Sequence, residues 1–139
     1  MSSFKGMHHV ALTVRELSVS APWYADLLGL VRLQDQREGD HAWVLFMHPA
    51  SQLMLALHEW SGDRTTFDER RVGLDHLALH VASRDELLGW QDRLDERGIK
   101  HSPLADVTYG HVLAFRDPDG IQLEMFVSPS SFWSHPTTG

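Results

Sequence analysis

Two stretches, MHHVALTV at residues 7–14 and LDHLALHV at residues 74–81, decide the fold of this chain. Both read histidine, apolar, alanine, leucine, polar, valine, so His9 and His76 occupy equivalent positions. The alternation of apolar residues with a period of two predicts a strand in each stretch. The fully apolar face of each strand must pack on a helix, and the less apolar face, which carries the two histidines, suits a cleft. A motif that recurs in this way indicates two copies of one structural unit.

The segments that follow these strands repeat as well. In each copy a helical pattern ends at a glycine, and three strand-like runs come after it. We predict helices over 20–28, with Pro22 in the first turn where proline is tolerated, and over 84–97, where Ser83 has capping-box spacing. The strand-like runs are 30–36, 41–47, 52–59, 100–109, 111–116 and 121–127. The sequence therefore predicts an α+β fold of two tandem βαβββ modules.

We interpret residues 1–139 as a single domain, because this length fits the usual size of one domain. Module one spans about 5–60 and module two about 73–128. A polar and charged linker of about 61–72 joins the modules. The tail, 129–139, is rich in serine, proline and threonine, and we expect it to be loosely ordered.

Composition excludes several classes of function. The chain has 12 Lys and Arg against 19 Asp and Glu, a net charge of −7, which argues against a nucleic-acid partner. It has no cysteine, which excludes disulfides, thiolate metal sites and a cysteine nucleophile and is compatible with a reducing cytoplasm. No apolar run has the length of a signal peptide or a membrane span, so we expect a cytoplasmic protein without a membrane partner.

Four motifs carry a resemblance to a known family: HHVALTV (8–14), WYADLLGL (23–30), DHLALHV (75–81) and FRDPDGIQLEMF (115–126). Together they resemble the vicinal oxygen chelate superfamily, which includes glyoxalase I, extradiol ring-cleaving dioxygenases, fosfomycin-modifying enzymes and bleomycin-binding resistance proteins. The resemblance covers about residues 7–127. It implies that the two modules form a curved mixed sheet around a metal-binding cleft. It is specific for the fold and weakly specific for the reaction, because this fold hosts several chemistries.

The resemblance also implies a set of metal ligands. The superfamily has one ligand at the histidine that opens the first strand of each module, which matches His9 and His76. Another lies in the last strand and matches Glu124. Glyoxalase I has a fourth ligand in the last strand of module one. Counting from the proline turn of each module places Leu55 there, and because leucine cannot coordinate a metal, this departure argues against a glyoxalase I.

Two imidazoles and one carboxylate can occupy one face of an octahedral ion and leave positions open for water, oxygen or a chelating substrate. Such a set suits Fe(II) and can also hold Mn, Co, Ni or Zn, so we expect one divalent metal ion of any of these kinds. The alternative for each histidine is a surface or hydrogen-bonded position. The alternative for Glu124 is a solvent-facing position on an edge strand, because an unpaired buried carboxylate is costly.

Further residues are candidates for the chemistry and the walls of the cleft. His80 lies two residues beyond His76 on the same face, and Tyr109 comes just before the seventh strand. Both are candidate catalytic residues, with a surface or structural role as the alternative. The candidate substrate-pocket residues, for which plain core or surface positions are the alternative, are Trp43, Leu55, His111 and Phe126.

The remaining histidines are interpreted as outside the site: His41, His48, His101 and His135 are expected to face solvent, and His8 and His58 have reasons of their own. His8 neighbours His9 and is expected to point to the other face of the strand, as a structural or surface residue. His58 lies three residues beyond Leu55 and is expected to face away from any ligand at that position.

These observations lead to one functional hypothesis and one rival. The hypothesis is a metal-dependent enzyme, dioxygenase-like or lyase/isomerase-like, that acts on a small molecule with neighbouring oxygens and forms a homodimer. The rival is a binding protein of the bleomycin-resistance kind, which needs an acidic, aromatic cleft and no metal. A degenerate member that keeps the ligands without activity is the third possibility.

Overall fold

The computed structural model describes residues 2–62 and 64–133, and it divides the chain into two compact units with the boundary between Thr66 and Phe67. The elements of unit 1 are β1 (Val10–Thr13), α1 (Leu17–Leu28), β2 (Val31–Glu38), β3 (His41–Met47) and β4 (Met54–Trp60). The elements of unit 2 are β5 (Leu77–His80), α2 (Arg84–Glu96), β6 (Ala105–Val107), β7 (Gly110–Arg116) and β8 (Gln122–Val127), followed by a short 3₁₀ helix, Ser130–Trp133.

Each unit contains a four-stranded mixed sheet, and the two sheets have the same strand order. The order is β1-β4-β3-β2 in unit 1 and β5-β8-β7-β6 in unit 2. The first strand of each unit runs parallel to the last, and the other pairs are antiparallel. The predicted α+β fold of tandem βαβββ modules is therefore confirmed.

One face of each sheet is covered by the helix of its own unit. We call the opposite face, which is turned away from that helix, the open face. In β3 the side chains of Ala42, Val44 and Phe46 are buried, whereas those of the alternate residues are half-buried. In β8 the buried residues are Leu123, Met125 and Val127. Helix α1 packs on β3 and β4, and α2 packs on β7 and β8, so the buried rows form the cores.

Helix α1 begins earlier than the sequence predicts. It starts at Leu17 rather than at residue 20, because the carbonyl oxygen of Glu16 accepts hydrogen bonds from the amides of Val19 and Ser20 at 3.1 and 3.0 Å. The prediction that Pro22 lies in the first turn is therefore wrong. Pro22 lies inside the helix, where its missing amide hydrogen interrupts the ladder of hydrogen bonds.

The predicted strand over 100–109 is also shorter in the structure. Only Ala105–Val107 pairs with β7 as a strand, and His101 makes an isolated bridge to Phe115. Pro103 lies between them and has no amide hydrogen to donate, which explains the interruption. The predicted tail, 129–139, is described as far as Trp133, and its remaining residues lie outside the described part of the chain. No helix among the described residues is long and apolar enough to cross a membrane.

The predicted cap of the second helix is present. The Ser83 hydroxyl oxygen accepts a hydrogen bond from the amide of Glu86 at 3.2 Å. We expect Ser83→Ala to lower the free energy of unfolding by about 1 kcal/mol, because the first turn of α2 loses this acceptor. Urea unfolding of this variant, beside the exposed control Ser3→Ala, measures the effect. Equal free energies of unfolding for the two variants would show that the cap does not contribute to stability.

An ion pair in unit 2 makes stability depend on pH. Both carboxylate oxygens of Glu69 accept hydrogen bonds from Arg116, at 2.8 and 3.2 Å. These hydrogen bonds lower the pKa of Glu69 from 4.5 to about 2. Since the folded state has the lower pKa, the pair stabilises the protein above pH 4.5, and this contribution is lost as the pH falls toward about 2.

We therefore expect Glu69→Gln to melt at a lower temperature than the wild type near neutral pH, with a gap that closes on acidification across that window. The effect is small, because the pair is partly exposed and screened by salt. Thermal melts of both proteins through the acid range test this. A gap that stays constant with pH would assign the effect of the substitution to something other than the charge of Glu69.

Candidate functional site

Two of the three predicted metal ligands meet on the open face of unit 2. Parallel pairing of β5 with β8 sets Ala78 opposite Glu124, and His76 immediately precedes β5. The Nε2 atom of His76 lies 3.4 Å from Oε2 of Glu124. The Glu124 side chain is only 15% exposed, so its carboxylate is held in a partly desolvated position beside an imidazole.

Neighbouring side chains orient both groups. The Nδ1 atom of His76 lies 2.8 Å from Oδ1 of Asp75, and the amide nitrogen of Gln122 donates to Oε1 of Glu124 at 3.4 Å. A carboxylate on the far nitrogen of a histidine is the usual way in which proteins orient a metal-ligating imidazole. Both outer contacts use the other atom of each group, Nδ1 of His76 and Oε1 of Glu124, and leave Nε2 and Oε2 3.4 Å apart.

The donor set and spacing of this pair fit a divalent metal ion. Two ligand atoms bound at about 2.1 Å lie about 3.0 Å apart on an octahedral ion and about 3.4 Å apart on a tetrahedral one. The observed 3.4 Å between the imidazole nitrogen and the carboxylate oxygen is in this range. Imidazole and carboxylate together suit Fe(II), Mn, Co, Ni and Zn. Among the residues that the structure describes, no group of three or more His, Asp or Glu side chains gathers at metal-binding distance.

The predicted catalytic residues of unit 2 lie on the same face as Glu124. His80 pairs with Phe126 in the register of β5 and β8, and Phe126 is two residues beyond Glu124. The ring of Tyr109 stacks on the ring of Phe126, with centroids 5.9 Å apart and planes 10° apart. The open face of unit 2 therefore carries a carboxylate, two histidines and two aromatic rings.

His111, a predicted pocket residue, does not lie on the face of the sheet that carries Glu124. Ala114 is the partner of Glu124, and His111, three residues earlier on β7, alternates to the helix-covered side. There its Nδ1 atom lies 2.6 Å from Oδ1 of Asp106, which also accepts a hydrogen bond from Arg84 at 3.2 Å. His111 belongs to a polar cluster at the N-terminal end of α2.

The prediction for Leu55 also needs correction. Its side chain is 0% exposed and belongs to the core of unit 1, so it cannot form a wall of the pocket. Strand register shows that Ala56, and not Leu55, is the counterpart of Glu124. Ala56 pairs with Ala11, just as Glu124 pairs with Ala78. Alanine has no ligand atom, so the last strand of unit 1 still lacks the fourth ligand of a glyoxalase I.

The corrected register moves His58 to the open face of unit 1. His58 pairs with Thr13 and with Trp43, on the same side of the sheet as the exposed His9. The expectation from the sequence, that His58 faces the opposite side, is therefore wrong. Its Nδ1 atom lies 2.7 Å from Nε2 of His41, and the two rings are stacked 5.0 Å apart. If the two modules are aligned by their paired strands rather than by their proline turns, His58 is placed on the open face.

The environment of His58 lowers its pKa and so favours the neutral imidazole. Burial lowers its pKa from the ordinary value of 6.5, and the neighbouring His41 and His9 lower it further. A neutral imidazole with Nδ1 engaged has Nε2 available for accepting or donating a proton. The predicted pocket residue Trp43 stacks on this histidine, with centroids 6.2 Å apart. The open face of unit 1 thus carries the predicted ligand His9 together with His58, His41 and the ring of Trp43.

Comparison with known proteins gives a consistent picture. The sequence model described as "Glyoxalase/Bleomycin resistance protein/Dioxygenase superfamily" matches residues 6–125. A crystal structure of a glyoxylase/bleomycin resistance protein/dioxygenase domain from Frankia sp. EAN1pec is 36% identical, with a TM-score of 0.85 over 91% of this chain and 100% of that one.

Two further similarities are to proteins with named activities. The putative ring-cleaving dioxygenase MhqA of Bacillus subtilis is 25% identical over 94% of this chain, which spans 42% of that protein's length. A variant of the fosfomycin resistance protein FosX of Listeria monocytogenes, complexed with Mn(II) and 1S,2S-dihydroxypropylphosphonic acid, has a TM-score of 0.74 at 16% identity. That similarity covers 95% of this chain and 98% of the other, and it shows a shared fold.

Proposed function

Since the chain belongs to the Glyoxalase/Bleomycin resistance protein/Dioxygenase superfamily, we propose that it is a divalent-metal-dependent enzyme acting on a small oxygenated organic substrate. The observation that carries the proposal is the His76–Glu124 pair, whose facing atoms lie 3.4 Å apart on the open face of unit 2. A superfamily can keep one fold for several chemistries, so the proposal depends on these side chains and not on the fold.

The proposed ligands are His9, His76 and Glu124. His9 holds the position in unit 1 that His76 holds in unit 2, one residue before the first strand, and it is exposed on the open face. In the proposed site His9 completes the set of three ligands that includes His76 and Glu124. A divalent ion bound there supplies Lewis acidity to vicinal oxygen atoms of a substrate.

The chain's own residues supply binding and proton transfer. His58, neutral and hydrogen-bonded to His41, is a proton acceptor on the face that carries His9. His80 and Tyr109 are the corresponding candidates on the open face of unit 2. The rings of Trp43 and Phe126 offer apolar walls that exclude water and favour a planar or compact organic molecule.

Within this class we favour a dioxygenase-like or lyase/isomerase-like reaction over that of glyoxalase I. Ala56 stands at the register position of Glu124 and provides no fourth ligand. A three-ligand site leaves more positions open for oxygen or a chelating substrate. Similarity to the putative ring-cleaving dioxygenase supports the dioxygenase-like member of this pair.

The experiment is a metal-reconstitution assay. Metal-stripped protein is loaded separately with Fe(II), Mn, Co, Ni or Zn and incubated with dihydroxybenzenes, epoxides and hydroxy-ketones, with oxygen uptake and product formation measured. We expect turnover with at least one pairing of metal and substrate, and its loss in His76→Ala. Turnover that is unchanged after chelation, or in His76→Ala, would overturn the proposal.

The aromatic face of unit 1 favours the rival function, a binding protein of the bleomycin-resistance kind. His41 stacks on Trp60 with centroids 3.8 Å apart and planes 6° apart, beside the stacked pair of Trp43 and His58. The net charge of −7 suits a cationic ligand. Titration with bleomycin in the presence of chelator discriminates the two, because a sequestering protein binds equally well without metal.

We also propose a cytoplasmic homodimer. The absence of cysteine is compatible with a reducing compartment, and a second copy would provide one way for His9 to reach the pair in unit 2. Analytical ultracentrifugation tests the assembly. A single species at the chain mass of 15.8 kDa at high concentration would count against it.

A further inference from the structure

The residue before each proposed histidine ligand makes the same contact in both units. In unit 1 the Nδ1 atom of His9 lies 2.9 Å from Nδ1 of His8. In unit 2 the Nδ1 atom of His76 lies 2.8 Å from Oδ1 of Asp75. His8 and Asp75 are equivalent in the repeat, so the contact is found twice, with an imidazole in one unit and a carboxylate in the other.

This contact determines which nitrogen of the ligand is free. A neutral imidazole has one N–H and one lone pair, and a carboxylate can only accept. In a neutral imidazole the shorter contact, to Asp75, favours the proton of His76 on Nδ1, which leaves the lone pair on Nε2, the atom that lies 3.4 Å from Oε2 of Glu124. His8 has the same effect on His9 when its own Nδ1 accepts, which places the proton of His8 on Nε2.

We propose that His8 and Asp75 are positioning residues that hold His9 and His76 in the tautomer with Nε2 free for a metal ion. The proposal rests on the metal site of the proposed function. It assigns His8 a role that differs from the structural or surface role expected from the sequence. It also predicts an asymmetry, because a charged acceptor polarises its imidazole more strongly than a neutral one.

The first test needs no metal. Imidazole ¹⁵N chemical shifts of the metal-free protein, recorded above the ordinary histidine pKa of about 6.5, report the tautomer. We expect His76 to have its proton on Nδ1 in the wild type and mainly on Nε2 in Asp75→Ala, with Asp75→Asn close to wild type because the amide oxygen still accepts. An unchanged His76 tautomer in Asp75→Ala would overturn the proposal.

The second test is calorimetric titration with Zn²⁺. We expect Asp75→Ala to weaken binding by about tenfold, the lower end of the range for residues that orient a ligand, and His8→Ala to weaken it by less, because His8 is a neutral acceptor. His8→Asp, which gives unit 1 the sequence of unit 2, should tighten binding severalfold. A structural role alone would not produce this gain.

A matched control lies in the same unit. Asp106 contacts Nδ1 of His111 at 2.6 Å, on the face opposite Glu124. Asp106→Asn should therefore leave Zn²⁺ affinity within about twofold of wild type, below the range expected for an orienting residue. If the wild type binds no Zn²⁺, the proposed function fails while the tautomer measurement still decides the role of Asp75. If Zn²⁺ binds and all of these variants match the wild type, the positioning role alone is wrong.

Discussion

Gly110→Ala is expected to destabilise the protein by about 3 kcal/mol or more and to lower its melting temperature by roughly 10 °C. Gly110 opens β7 with a φ of +140°, a conformation that L side chains rarely adopt. A β-carbon added there would overlap the carbonyl oxygen of Val127 and lie 3.0 Å from Cε1 of Phe126. The obstacle is partly backbone, so a change of side-chain rotamer cannot relieve it.

The matched control for this substitution is Gly89→Ala. Gly89 lies on the exposed side of α2, its β-carbon would meet nothing within 4 Å, and its φ is ordinary. Alanine there should stabilise the helix by about 0.5–1 kcal/mol. Thermal and urea unfolding of both variants measure the difference. A Gly110→Ala protein as stable as the wild type would contradict the described junction of β7 and β8.

The second large effect concerns metal affinity. We expect His76→Ala and Glu124→Ala each to weaken the binding of a divalent ion by about 100-fold or more, because a three-ligand site has no redundancy. Calorimetric titration of the metal-stripped proteins with Co²⁺ gives the comparison. Affinity within threefold of wild type in either variant would remove that residue from the proposed ligands.

His111→Ala provides the control for these two variants. Like His76, it is a histidine of unit 2 with Nδ1 on a carboxylate, but it lies on the helix-covered side of the sheet. Its removal should leave Co²⁺ affinity unchanged. A loss equal to that of His76→Ala would indicate that the sequence-based assignment of His111 to the pocket was correct.

The fold was predictable because its signals are local. Alternation in 7–14 and 74–81 identified equivalent first strands, and the buried Leu12 and Val14 beside exposed Ala11 and Thr13 agree with that pattern. The Ser83 cap and the strand His41–Met47 were also found at the predicted positions. Each of these features depends on residues within a few positions of one another.

Parts of the candidate site were not predictable, because they depend on strand register. A shift of one residue transfers every side chain of a strand to the other face. Counting from the proline turns made Leu55 the counterpart of Glu124, whereas the strand register shows that the counterpart is Ala56. The same error of one residue assigned His58 to the wrong face of its strand. His111 was misplaced for the same reason, because no local pattern reports which residue of β7 faces Glu124.

The central claim is that His9, His76 and Glu124 bind one divalent metal ion. Zn²⁺-loaded crystals, with diffraction data collected on both sides of the zinc absorption edge, test it most directly. We predict one anomalous peak per chain, about 2.0–2.2 Å from an imidazole nitrogen of each histidine and from a carboxylate oxygen of the glutamate. A peak bound by other residues, or none within reach of these three in any pairing of chains, would contradict the account.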